Sequence, residues 1–355
     1  MAPVIREFSA RKVIFDHIIV ATAQHREMLD QVLSVFDITP DMDLGLMQND
    51  QSLADFAATS LSSVSRVLTE LKPELVLVQG DTTTVLTAAL AAFYQGIRVG
   101  HVEAGLRSFD SRNPFPEEIN RRIASCLADL HFSPTEGARL NLLREGVPDE
   151  NVFVTGNTIV DALRLAPLAG DFDDRRLGCV DFDHNRVLLV TAHRRENHGS
   201  PLRSICRAVK TLVSSFEKVE IVYPVHLNPK VSKVVRDELG DIERIHLVDP
   251  VTYTDLLRLM NRCYLRLTDS GGIQEEAPSF HKPVLVLREV TERPEVIETG
   301  AGRIVGTDGH IVETTALLLT DAQEYKKMST ARNPFGDGHA AERIVDIIGQ
   351  KLGAY

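Results

Sequence analysis

The chain has 355 residues, 43% of them hydrophobic and 25% charged, and a formal net charge of -11. This is an ordinary globular composition, long enough for two domains, and an acidic balance without a long basic run argues against nucleic acid as the main partner. No apolar run reaches the roughly 18 residues that a membrane span needs, and no signal peptide is visible. The four cysteines, Cys126, Cys179, Cys206 and Cys263, show no CxxC spacing. That predicts inert thiols in the cytoplasm, and with no HExxH or Cys/His cluster no metal site is expected.

In chain order, residues 13–21 read as a strand, and Gln24-His25-Arg26-Glu27 opens a helix through Val35. Leu53, Phe56, Ala57, Leu61, Val64, Leu68 and Leu71 recur at helical intervals, and Pro73 ends that amphipathic helix. Leu75 to Val78 is a short apolar strand. Gly80-Asp81-Thr82-Thr83-Thr84 turns from it into a helix over 85–95. Residues 97–102 form a strand ending at Glu103, and a Gly/Pro-rich loop, 105–116, leads into a helix from Glu117 to about Asp129. Strands near 130–132 and 151–154 flank a helix at 135–145. Alternation of this kind predicts a doubly wound parallel sheet.

Residues 165–185, with Pro167, Gly170, Gly178 and an acidic run, break the pattern and read as a linker. A second alternation follows, with strands at 186–191, 219–223, 244–248, 264–268, 283–287 and 302–305. Helices fall at 200–217, 229–239, 252–261 and 272–280, then over 309–329, and a final helix spans 339–352. The expectation is therefore α/β: two Rossmann-like doubly wound domains, 1–165 and 166–335, facing across a cleft with ligands at the strand carboxyl ends.

Thr268-Asp269-Ser270-Gly271-Gly272-Ile273-Gln274-Glu275-Glu276 is the stretch around which the rest is organised. Two glycines between a strand and a helix start let a backbone approach a phosphate and offer it unpaired N–H groups. Glu275 or Glu276 could then accept from a ribose hydroxyl. An ordinary strand–turn–helix connection with an N-cap serine explains the stretch equally well. Asp81, Glu103 and Glu117 fall at strand ends or helix starts on one predicted rim. Three carboxylates there repel, which suits an acid and a base, although helix capping accounts for Asp81 and Glu117 singly. Val190 to Asn197, containing His193, Arg194 and Arg195, suits a diphosphate. His226 and Arg293 follow strands too, the first either structural or functional, the second facing phosphate or pairing with Glu295. Neither GxGxxG nor GxxxxGK[ST] occurs, so the usual signatures of nicotinamide, flavin and Walker-type sites are missing, and no cofactor is expected.

Together these stretches resemble the non-hydrolysing UDP-N-acetylglucosamine 2-epimerases. The resembling pieces are ATAQHREMLDQVL, QGDTTTVLTAALAAFYQ, VGHVEAGLRS, PEEINRR, LHFSPTE, VTGNTIVDAL, VTAHRREN, YPVHLNP, LTDSGGIQEEAP and TERPE, with NPFGDGHAAERI extending the match to the last helix. The resemblance implies the GT-B fold, with the final helix (about 336–355) packing back on the first domain. It implies UDP-N-acetylglucosamine as substrate, UDP-N-acetylmannosamine as product, domain closure and a homodimer. The aminosugar would supply cell-surface polysaccharide. It matches Asp81, Glu103 and Glu117 to catalytic carboxylates and His193 to a catalytic-loop histidine. Ser270, Gly271 and Gly272 match the diphosphate seat, Glu276 a ribose contact and Arg293 a nucleotide-site arginine.

Gln24, His25 and His226 match parts of the second-substrate activator site of bacterial members, whereas Asp50 stands where some members carry arginine. Met1-Ala2-Pro3 aligns just after the family's first strand and its GTRPEAIK loop. On that alignment the chain lacks a central strand and two cations, and reduced stability with little activity is expected. A GT-B glycosyltransferase and a non-catalytic UDP-sugar-binding protein are the alternative readings.

Overall fold

Apolar runs bounded by turn residues become strands in both halves of the chain, and among the described residues every strand pair is parallel. The computed structural model describes residues 1–22, 26–47 and 50–354. It divides into two units, Met1–Leu165 with Phe335–Tyr355, and Ala166–Pro334.

In the first unit β1 (Val20–Ala21) and β2 (Met42–Asp43) form a two-stranded sheet of their own. A four-stranded sheet has the order β3-β4-β5-β6: Leu75–Gln79, Arg98–Val102, Leu130–Ser133 and Val152–Val154. One face of it packs helices Leu53–Leu71 and Thr83–Tyr94 through Val64, Leu68, Val85 and Ala89. The other face buries Val102, Leu130 and Phe132 against Val4 and Phe8 of helix Ala2–Ala10 and Ile344, Val345 and Ile348 of helix Ala340–Leu352. The buried Asp161 carboxylate fixes the start of that last helix by accepting from the Ala340 and Ala341 N–H groups, at 3.2 and 2.8 Å. Burial pushes the pKa of Asp161 up, and those two N–H groups are the partners that keep a buried carboxylate tolerable.

The second unit is one six-stranded sheet in the order β12-β11-β10-β7-β8-β9, where β7 is Arg186–Thr191, β8 Val219–Pro224, β9 Ile245–Val248, β10 Leu265–Thr268, β11 Val284–Val286 and β12 Gly302–Ile304. The sheet is covered through Leu188, Val190, Ile221 and Leu267 by helix residues such as Ile205, Val209 and Leu212. The order reverses at β7, between β10 and β8, and such a switch point is where open α/β sheets receive ligands.

Several sequence expectations are corrected. The strand over 13–21 shrinks to Val20–Ala21, because residues 11–14 are a turn closing helix Ala2–Ala10. That helix was not expected; its Pro3 sits in the first turn, where a missing N–H costs nothing. The helix expected over 272–280 is α-helical only for Gly271–Glu276 and tightens to a 3-10 turn, Ala277–Phe280. The fully buried Arg266 sits behind this turn, donating to the Ala277 and Lys282 carbonyls at 3.3 Å each. The helical stretch over 309–329 divides at Asp321, which caps the second helix. Among the described residues no helix is long and apolar enough to cross a membrane.

Candidate functional site

In the first unit, Asp81 and Glu103 follow adjacent strands whose last residues, Gln79 and Val102, are in register. They therefore share one rim. The turn between strand and Asp81 needs Gly80 at φ 79°. It is held at both its polar groups: Gly80 N–H donates to the Val102 carbonyl at 3.1 Å, and His101 Nε2 lies 2.8 Å from the Gly80 carbonyl. A carbonyl can only accept, so Nε2 carries the proton. Burial holds the His101 pKa down to about 4, which keeps the ring neutral. Glu103 sits at φ 64°, left-handed backbone that a side chain with a Cβ adopts only under constraint. Gln79 Nε2 donates to its Oε2 at 3.4 Å.

Asp81 is not left to repel its neighbours. Arg121 donates to its carboxylate, and Asn120 Nδ2 donates to its backbone carbonyl at 3.0 Å. Glu117 begins helix Glu117–Leu127, from which Asn120 and Arg121 also project. Its neighbour Glu118 is fully buried, accepts from the Ser108 and Phe109 N–H groups at 2.9 and 3.3 Å, and faces Arg121 at 3.6 Å. Sequence reading missed both Glu118 and Arg121, although PEEINRR contains them.

In the second unit three loops leave the carboxyl ends of three neighbouring strands, β10, β7 and β8. The β10 loop carries Ser270, Gly271 and Gly272, the first of which caps the short helix without a side-chain hydrogen bond. A Cβ added at Gly271 would meet only Arg194 Nη2 and Glu292, at 3.8 and 3.9 Å, and at Gly272 only Ser270 Oγ at 3.9 Å. The turn is therefore open, with a guanidinium beside it, which suits an anion.

The β7 loop carries His193. Tyr223 Oη, buried in β8, donates to the Ala192 carbonyl at 2.9 Å and fixes the loop's start. The fully buried Asp269 fixes the rest: its Oδ2 accepts from His193 N–H, Arg194 N–H and Asn197 Nδ2 at 2.8, 2.9 and 2.9 Å. The β8 loop presents His226, whose ring stacks on that of His193 with centroids 5.4 Å apart and planes 7° apart. Its Nδ1 accepts from Asn228 N–H at 3.0 Å.

Arg293, expected either at phosphate or beside Glu295, forms an ion pair with Glu275. Glu276 is buried, with the Tyr253 hydroxyl at 3.5 Å. Burial first, then the Glu275 charge, pushes its pKa up to about 7. Among the described residues no group of acidic, histidine and cysteine side chains could hold a metal ion. Gln24 and His25 lie outside the described residues.

The profile described as UDP-N-acetylglucosamine 2-epimerase matches residues 6–349. The Escherichia coli K12 protein named UDP-N-acetylglucosamine 2-epimerase is 49% identical, over 98% of this chain and 94% of its own length. A Listeria monocytogenes crystal structure superposes with a TM-score of 0.94 at 44% identity, covering all of this chain and 93% of its own. The Neisseria meningitidis epimerase, solved bound to UDP-GlcNAc, superposes with a TM-score of 0.86 at 43% identity over 99% and 96% of the two chains. These neighbours share the parallel α/β, GT-B-like fold class. The chain belongs to the UDP-N-acetylglucosamine 2-epimerase family.

Proposed function

We propose that this chain interconverts UDP-N-acetylglucosamine and UDP-N-acetylmannosamine by eliminating UDP and adding it back. Family membership favours this over a glycosyltransferase or a binding protein. The C2 hydrogen is not next to a ring carbonyl, so direct abstraction is hard. Breaking the anomeric C–O bond first puts positive charge on the ring and acidifies C2. A base then removes the C2 proton to give a glycal, and protonation from the opposite face followed by return of UDP inverts C2.

Asp81, Glu103 and Glu117 supply the acid and base, while Arg121 offsets the charge they concentrate. The Ser270–Gly272 turn receives the diphosphate, with His193 on the neighbouring strand's loop. Arg293 belongs to the same nucleotide site. Glu276 accepts from ribose, since Glu275 is engaged by Arg293. No redox cofactor enters the scheme.

The observation that carries the reading is the open Gly271–Gly272 turn on the strand next to the one bearing His193, in a chain of this family. The test is to incubate the chain with either sugar nucleotide and follow it by proton NMR. The same mixture should form from both sides, without free N-acetylmannosamine accumulating. Release of the free sugar would instead indicate a hydrolysing epimerase.

We infer further, from the family's habits, a cytoplasmic homodimer whose product feeds cell-surface polysaccharide. Activation by a second substrate molecule, which the resemblance attaches to Gln24, His25 and His226, is a further reading to test. Light scattering on the eluted protein, and rate curves against substrate concentration, check these readings.

A further inference from the structure

We propose that Asp269 is a positioning residue for His193, fixing the tautomer and tilt of its imidazole through the carboxylate oxygen that the loop backbone leaves unused. The two oxygens of Asp269 are used very differently. Oδ2 accepts all three N–H groups from the His193, Arg194 and Asn197 side of the loop. Oδ1 is buried, has no hydrogen bond, and lies 3.5 Å from His193 Nδ1. A buried anion with half its acceptor capacity unused is costly, and the polar group placed to relieve that cost is His193 Nδ1. The separation is long for a hydrogen bond, as in many unliganded sites whose contacts tighten on binding.

One side chain thus holds both the backbone and the ring of His193 to the end of β10, next to the Ser270–Gly272 turn. A carboxylate can only accept, so it selects Nδ1–H and leaves Nε2 as the nitrogen open to substrate chemistry. When Nε2 takes up a proton, Asp269 stabilises the imidazolium beside the charge growing on the leaving diphosphate. The charged and titratable groups facing His193 are Asp269 from β10, His226 from β8, and Arg194 and Glu196 from its own loop. Burial dominates and pushes its pKa down, with His226 and Arg194 acting in the same direction. Asp269 and Glu196 oppose them. The ring therefore rests neutral, with Asp269 as the largest influence favouring its charged form.

The catalytic half of this inference rests on the epimerase reading; the tautomer half does not. The experiment uses the full chain labelled with nitrogen-15 at histidine, with His193→Asn to assign the signal. The wild-type spectrum should show His193 as the Nδ1–H tautomer. An Nε2–H tautomer would overturn the proposal whether or not the chain turns over or Asp269→Asn folds. Asp269→Asn keeps an oxygen for the three N–H donors; it should weaken the Nδ1–H preference and move the His193 titration to lower pH. Kinetically, it should lower kcat roughly 10–100-fold, the size of effect seen when the carboxylate orienting a metal-bound histidine is removed, with little change in UDP affinity. In the His193→Asn background the same change should cost less than about twofold. Equal losses in both backgrounds would show that Asp269 acts only on the fold.

Discussion

Glu118 and Asp269 do the same structural job in different units. Each is fully buried, and each accepts two consecutive backbone N–H groups from a loop beside strand carboxyl ends. They differ in what else they face. Glu118 has a permanent cation, Arg121, which also holds Asp81. Asp269 has an imidazole and one oxygen without a hydrogen bond. A buried carboxylate beside a guanidinium is a fixed support, whereas one beside a histidine takes part in proton placement. The first arrangement suits a rim where carboxylates do acid–base work, the second a seat where an anion arrives and leaves.

The largest expected effects separate the two rims. Asp81→Asn, Glu103→Gln and Glu117→Gln should each lower kcat by about 10²–10⁴-fold, the usual contribution of a positioned acid or base. UDP affinity, measured by calorimetry, should hold. A Glu103→Gln enzyme turning over at wild-type rate would remove that residue from the mechanism. Glu118→Ala should act on stability instead, by about 1–3 kcal/mol for each loop N–H group it leaves without an acceptor, while Arg121 keeps Asp81. Denaturant melts of the variant check this, and a loss below about 1 kcal/mol would mean the clamp is not a support.

Glu276 makes the second unit sensitive to pH. Its native pKa, raised from 4.5 to about 7, makes protonation easier in the folded chain than in the unfolded one. The resulting stability is present below about pH 4.5 and is lost as pH rises through about 7. Glu276→Gln should flatten that loss in melts taken across the range. UDP affinity of the wild type should rise over the same window, as the ribose acceptor ionises.

The smallest effect belongs to Asp337, which Arg343 holds down at about pH 2. That support is present above the unfolded carboxylate range and lost as pH falls through about 2. Because the pair is exposed, Asp337→Asn should cost no more than about 1 kcal/mol at pH 7, read as a small fall in melting temperature.

Much of the strand framework was legible because apolar runs such as Leu75–Val78 and Val187–Val190 end at turn residues, and those ends carry the loops. Helix Ala2–Ala10 was not legible because only Val4, Ile5 and Phe8 mark its apolar face, too short a run beside Pro3 to show a period. Asp269, Glu118 and Arg121 escaped for a deeper reason. Nothing local distinguishes a buried ionisable side chain from a solvated one, since burial comes from strands far apart in sequence: Thr191 and Thr268 are in register, 77 residues apart. The available signal was position. Asp269 lies immediately after β10, and Glu118 immediately after a residue already singled out.

The most direct test of the whole account is C2 exchange. The chain is incubated with UDP-N-acetylglucosamine in deuterated water and the product read by proton NMR. Elimination and re-addition predicts UDP-N-acetylmannosamine carrying deuterium at C2, and none formed by Glu103→Gln on the same timescale. Epimerised product that keeps its original C2 hydrogen in full would contradict it.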